Sequence, residues 1–339
     1  MGRVTLKEVA EHAGVHPATA SRALNAATRG LVNPQTAERV DQAAQHLGYI
    51  PNSIARSLKT ARSASIGLLL PDLTNPLFPP IVRGIEDVLR TVGYNAWIVN
   101  TDNEPEREAD AIASFRGRNV EGFVAATARL RDPLLEELAE SGTPLVLVNR
   151  RVDSPNVPSV TVDDKAGVMM AVRHLFELGH RELVHLAGPQ DLSTGVARLQ
   201  AFRQALEDLG LPAEPERIVE AASWSATGGA DAMETVVESG PSYTAVVAGN
   251  DLIALGCYDI LARHGLRCPD DVSVVGFNDM SFIDRVAPPL TSVRVPHYEI
   301  GTEAARLLLE ALEHPDRHPR SLVLPPTLSV RRSTAPPPG

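Results

Sequence analysis

Apolar residues recur at helical spacing three times within the first fifty positions. Thr5 and Glu8 form a T-x-x-E capping box, after which Leu6, Val9, Ala10 and Ala13 share one face. Gly14 supplies a left-handed turn. A second helix starts near His16, with Pro17 at its first position and Ala20, Ala23 and Leu24 facing inward. A third runs from the cap Asn33 and Pro34 to Leu47, buries Ala37, Val40 and Ala44, and stops at Gly48. Two short helices across a tight glycine turn, followed by a third, predict an all-α helix-turn-helix head.

From Ser65 onward the pattern changes to short apolar runs alternating with amphipathic stretches. Strands are expected at IGLLL (66–70), YNAWIVN (94–100), GFVAAT (122–127) and PLVLVN (144–149), with helices near 79–92, 105–117 and 133–141. A second series begins near Asp164, with helices over 165–178, 195–209, 227–238 and 252–264. Its strands are ELVHLAG (182–188), one near 218–220, AVVAG (245–249) and VSVVGF (272–277). Repeated strand–helix units predict parallel sheets covered by helices, and two series predict a two-lobed α/β body.

Composition changes this picture only through charge. The chain of 339 residues carries a net charge of −10, which taken alone argues against binding DNA. Residues 1–62 hold eight basic against four acidic side chains, whereas the rest holds 24 basic and 38 acidic. A small basic module on a large acidic body directs phosphate contact to the head. No apolar run reaches the roughly 18 residues needed to span a bilayer, and no apolar signal core follows Met1. We therefore expect a cytoplasmic protein without a membrane partner. Cys257 and Cys268, the two cysteines, imply no disulfide framework.

Within the head, Pro17 and Ala18 at the start of the second helix would enter a major groove. Thr19, Ser21, Arg22 and Asn25 can donate to phosphates or base edges, and Arg22 suits a bidentate contact to guanine. Thr5, at the start of the first helix, joins this DNA-facing set. A three-helix domain that binds protein instead fits the same periodicity. The next segment, PNSIARSLKT (51–60), predicts one short helix capped by Asn52 or Ser53, too short to persist alone in water.

In parallel α/β sheets, ligands sit beyond the carboxyl ends of the strands. Polar residues cluster there in both series: Asp72, Thr74 and Asn75; Asn149 and Arg150; Asp163; Asn250 and Asp251; Asn278 and Asp279. Together they suit a cleft that holds a polyhydroxylated ligand by hydrogen bonds. Singly, each reads as a helix cap, and Asp251 is expected to cap the helix over 252–264.

The stretches TLKEVAEHAGVxxATASRALN, VNPQTAERV and LGYIPNSIARSLK resemble the LacI/GalR family of bacterial transcription regulators. IGLLLPDLTNPLF, AGNDLIALG, DDVSVVGFND and PPLTSVRVP resemble the periplasmic-binding-protein-like body of the same family. The resemblance implies a homodimeric repressor that reads a roughly palindromic double-stranded operator under control of a small-molecule effector, a sugar or related polyol. It implies a helix-turn-helix domain over 1–50, a hinge over 51–62 and an effector-binding and dimerisation domain over 63–334. Lobe one would comprise about 63–162 and 292–320, lobe two about 163–291 and 321–334. The final strand, LVLPPTLSVR, would return to lobe two. Paired hinge helices would enter the minor groove, with Leu58 as an apolar wedge and Arg56 and Lys59 on phosphates or groove edges. Leu58 as an interdomain packing residue is the plainer alternative.

The resemblance also assigns effector positions. Leu77 and Phe78 border the ligand, Arg198 reaches it, Asn250 meets a hydroxyl and Trp224 offers an aromatic platform. Trp224 as a core residue is the competing reading. With the strand-end residues, the expected effector set is Asn75, Leu77, Phe78, Asn149, Arg150, Asp163, Arg198, Trp224, Asn250 and Asn278. This chain departs from the family at several of its positions. His16 replaces a common Ser, Ala20 a common Val, Asn278 a common acid and Val295 a common Gln. Leu192 stands where purine-responsive members carry Arg.

No P-loop, G-x-G-x-x-G, H-E-x-x-H or G-x-S-x-G motif is present, so no cofactor, metal or catalytic residue is expected. His185, in an apolar strand, reads as a core histidine. A solute receptor with an N-terminal extension and a sugar-modifying enzyme remain as alternative readings; the basic head weighs against the first.

Overall fold

A computed structural model describes residues 4–25, 28–49, 63–239, 242–318 and 320–338. The chain divides into two units, Met1–Ser63 and Ala64–Gly339. The first holds α1 (Leu6–His12), α2 (Pro17–Ala23) and α3 (Pro34–Leu47). Thr5 caps α1 with both halves of the expected box: its hydroxyl accepts from the Glu8 N–H, and its own N–H donates to the Glu8 carboxylate at 2.6 Å. Gly14, at φ +64°, makes the turn to α2 in a backbone region costly for any side chain. His16 takes over the cap of α2, its Nδ1 accepting from the Ala18 N–H at 3.2 Å, so the departure from Ser keeps the bond. Asn33 caps α3 through the Gln35 N–H. Val9, Ala10, Ala13, Ala20, Ala23, Ala37, Val40, Ala43 and Ala44 form the core of this unit.

The second unit contains two sheets of six strands with the same winding. The first lobe runs β1 (Ser65–Leu70), α4 (Phe78–Thr91), β2 (Asn95–Asn100), α5 (Pro105–Gly117), β3 (Gly122–Ala125), α6 (Pro133–Glu140), β4 (Leu145–Val148) and β5 (Ser159–Val162). The second runs α7 (Asp164–Glu177), β6 (Leu183–Ala187), α8 (Ser193–Leu209), β7 (Ile218–Glu220), α9 (Ala226–Ser239), β8 (Ala245–Ala248), α10 (Asp251–Arg263), β9 (Ser273–Asn278) and β10 (Thr291–Arg294). The chain then forms α11 (His297–Glu313), β11 (Leu322–Leu324) and β12 (Thr327–Ser329).

Strand order is β2-β1-β3-β4-β5-β11 in one sheet and β7-β6-β8-β9-β10-β12 in the other. All pairs are parallel except β10–β12. The central strands β1, β3, β4, β8 and β9 are buried on both faces, as their unbroken apolar runs require.

The resemblance puts re-entry to lobe one near 292–296; β10 still pairs with β9 in the second sheet, and the chain leaves at Val295–Pro296. The run LVLPPTLSVR is not one strand returning to lobe two. Pro325 and Pro326 lack the N–H a ladder needs, so β11 ends before them in the first sheet beside β5, and β12 follows them in the second. α11 lies against α4 with almost no side-chain layer between. A Cβ at Gly84 would meet the Tyr298 carbonyl at 2.2 Å, and one at Gly301 the Ile81 carbonyl at 2.0 Å.

Candidate functional site

Loops at the carboxyl ends of both sheets converge on a narrow cleft. Lobe one contributes Asn75, Leu77, Phe78, Asn149 and Arg150, and lobe two Thr194, Arg198, Trp224, Asn250 and Asn278. Every expected effector residue except Asp163 therefore lines one cleft. Asp163 is exposed and caps α7, its Oδ1 accepting from the Ala166 N–H at 2.9 Å. Thr194 lines the cleft unforeseen; the signal was an uncapped helix start directly after a strand-end loop, since Leu192 precedes α8 without a side-chain cap.

The two arginines are held differently. Arg198, on α8, is buried; its Nε donates to Asp164 Oδ1 at 2.7 Å and its Nη1 to the Gly249 carbonyl at 2.7 Å. Its guanidinium lies 3.7 Å from the Phe277 ring centroid and 5.4 Å from that of Trp224. Burial pushes the Asp164 carboxyl above its usual range, and the Arg198 charge pulls the other way. Arg150 is equally buried, yet its nearest polar contact is Nη1 to Asn103 Oδ1 at 3.3 Å, and its Nε has no partner. Desolvation lowers its pKa to about 10, which leaves it charged at neutral pH.

Asn149 and Asn278 adopt positive φ, 64° and 114°, a strained backbone that aims strand ends into the cleft. Asn278 is 1% exposed, and its Oδ1 has no partner. Asn250 spends its Oδ1 on the Ile253 N–H and so caps α10. That cap was expected of Asp251. The Asp251 carboxylate instead accepts from Ser292 Oγ at 2.5 Å and from the Met280 N–H at 2.8 Å, tying α10 to the loops after β9 and to β10. Asp279 pairs with Arg294 and Arg331 and is likewise structural.

Trp224 is half-buried. Its ring edge runs so close to Gly188 that a Cβ there would come within 2.0 Å, so the ring packs on the second lobe while lining the cleft. His185 is a core residue, its Nδ1–H donating to the Val247 carbonyl and its ring stacked on Phe202.

In the head, Pro17, Ala18 and Arg22 are exposed on α2, and Thr19, Ser21 and Asn25 are partly so. The Thr5 hydroxyl is committed to its cap. Arg29 is occupied by Asp41 at 2.5 Å and by the Ala23 carbonyl, so it braces the loop before α3. Arg56, Leu58 and Lys59 lie outside the described residues. Among the described residues no helix is long and apolar enough to cross a membrane.

Residues 5–52 match the pattern of bacterial regulatory proteins of the lacI family. Residues 63–332 match that of periplasmic binding proteins and the sugar binding domain of the LacI family. The chain is 35% identical to the ribose operon repressor of Bacillus subtilis over 97% of its own length and 98% of the relative's. Among solved structures it is similar to the lac repressor dimer bound to operator and the anti-inducer ONPF, with 28% identity, a TM-score of 0.88, and coverage of 98% of this chain and 100% of that one. It is also similar to a complex of the transcriptional regulator CelR with cellobiose, with 32% identity, a TM-score of 0.76 and the same coverage. With both parts of the chain matched, this protein belongs to the LacI family of bacterial DNA-binding transcription regulators.

Proposed function

We propose that this protein is a homodimeric repressor that holds a sugar or related polyol between its lobes and thereby changes its grip on a roughly palindromic operator. The observation that carries the reading is the lining of the cleft. Polar side chains of both lobes meet there beside an aromatic ring, and a buried donor on Arg150 and a buried acceptor on Asn278 lack protein partners. Such groups are costly to leave unmade, and a hydroxylated ligand satisfies both kinds. The CelR complex with cellobiose and the ribose operon repressor among the relatives support a carbohydrate. The same geometry asks for no bond-making step, so the ligand leaves as it arrived.

In this reading α2 lies in the major groove, with Arg22 on a guanine edge. The segment at 51–62 carries the signal, with Leu58 in the minor groove flanked by Arg56 and Lys59. The test is an anisotropy titration of full-length protein on the operator fragment it selects from its own genome. Addition of the effector is expected to change affinity roughly 5–150-fold. Arg22→Ala is expected to weaken specific binding by about 1–3 kcal/mol. A variant that still discriminates its operator from scrambled duplex as the parent does removes Arg22 from the reading role.

A further inference from the structure

We propose that the molecule held in the cleft carries an anionic group, a carboxylate or a phosphate, which docks against Arg150. This rests on the reading of the cleft as a sugar site and narrows it. No carboxylate is among the residues lining the cleft, although two guanidiniums are. Arg198 is neutralised within the protein by Asp164. Arg150 is not: it is 5% exposed, no carboxylate among the described residues lies within ion-pair distance of it, and its Nε is unpartnered there. Asp191 and Glu108 act on its charge only from farther away, and Glu108 is engaged by the Thr127 hydroxyl.

A buried guanidinium with no carboxylate in contact is expensive to keep, and its planar fork matches two oxygens of a carboxylate or phosphate. A second source of positive potential faces the same space. α8 is 17 residues long, has no side-chain cap, and places Thr194 of its first turn on the lining. Ser193, the other hydroxyl of that turn, is turned to the Arg151 N–H at 3.0 Å. Free N–H groups and the helix dipole at such an end favour an anion. The unpartnered Asn278 acceptor remains for a hydroxyl donor, so the fitting ligand is a compact hydroxylated anion, a sugar acid or sugar phosphate, rather than a neutral sugar.

Isothermal titration calorimetry of the full-length protein tests this with matched pairs. Gluconate, glucuronate and galacturonate are set against glucose and galactose, and the terminal phosphate esters of glucose and ribose against the free sugars. An anionic member is expected to bind at least about tenfold tighter than its neutral partner, the strength gained by charge-assisted over neutral hydrogen bonds. Preference within the acids or within the esters identifies which anion it is. A neutral sugar that binds as tightly as its charged counterparts overturns the proposal and leaves the sugar site standing. Heat from no member of either set overturns the sugar site as well. Arg150→Gln is expected to lower the anion-to-neutral ratio about tenfold, while Arg150→Lys, which keeps the charge but not the fork and serves in case Gln does not fold, retains part of the preference. An unchanged ratio in a folded Arg150→Gln protein, or loss of preference in Arg150→Lys equal to that in Gln, removes the anion from Arg150.

Discussion

Among the described residues of the head, seven of the nine buried apolar side chains are alanines and the other two are valines. The body buries Phe123, Phe202, Ile66, Leu68, Ile81 and Leu135 completely, in clusters that fill both faces of its sheets. Each buried methylene contributes roughly 0.8 kcal/mol, so the head draws little from its core and depends on what its helix ends supply. The body has enough apolar burial to tolerate charged and polar groups inside, at Arg150, Asp164, Arg198 and Asp251. The proposed reading surface is thus built from exposed side chains on a lightly packed frame, and the proposed sensing surface from buried polar groups in a heavily packed one.

Both tryptophans, Trp97 and Trp224, lie in the body, so tryptophan fluorescence follows that unit alone. Arg198→Leu leaves Asp164 buried without its partner and is expected to lower body stability by about 3–5 kcal/mol in a denaturant titration. Replacing both Arg198 and Asp164 by leucine should restore a good part of the loss. If the single variant unfolds like the parent, the buried pair is not what secures the second lobe.

Acid should divide the buried groups of the body. Burial holds His185 and His297 down at about 4, below an unfolded value of about 6.5, so each favours the fold above that value and gives up stability as pH falls toward 4. Burial pushes the Asp251 carboxyl up to about 7, so it favours the fold below its unfolded value and gives up stability as pH rises toward 7. Between about 4 and 6.5 two histidines oppose one carboxyl, and the net response of these three is loss of stability on acidification. Asp251→Asn removes the opposing group and should steepen that loss by up to about 1.4 kcal/mol per pH unit. A shallower slope in the variant would contradict the assigned directions.

The smallest effect is expected in the head. Thr5→Ala removes the α1 cap at a cost of about 1 kcal/mol, read as faster amide exchange in peptides from residues 4–25 with no change in tryptophan fluorescence. Equal exchange would mean that the cap contributes nothing to holding the frame.

What could be read in advance followed the range of the interaction. Thr5 and Glu8, His16 and Pro17, Asn33 and Pro34 act on groups within three or so residues, so spacing alone places the ends of the head helices. Asn75, Asn149, Arg150, Asn250 and Asn278 were legible because strand ends in parallel sheets share one side, whereas Leu77, Phe78, Arg198 and Trp224 were placed by the family resemblance. Asp251 was misread because Ser292 and Met280, which take its hydrogen bonds, are 41 and 29 residues away and compete with a local cap that Asn250 fills just as well. The partition between the two arginines depends on Asp164, 34 residues from Arg198, and no local pattern announces that only one of them is paired. The split at Pro325–Pro326 was present in the letters and lost to an expectation of one continuous strand.

Gly84 and Gly301 bring the main chains of α4 and α11 together with no rotamer between them to yield. The pair forms a single plank whose one end, at Phe78, lines the cleft. A displacement of α4 at that end meets backbone rather than a yielding side chain in α11, the helix that begins where the chain has just crossed from one lobe to the other.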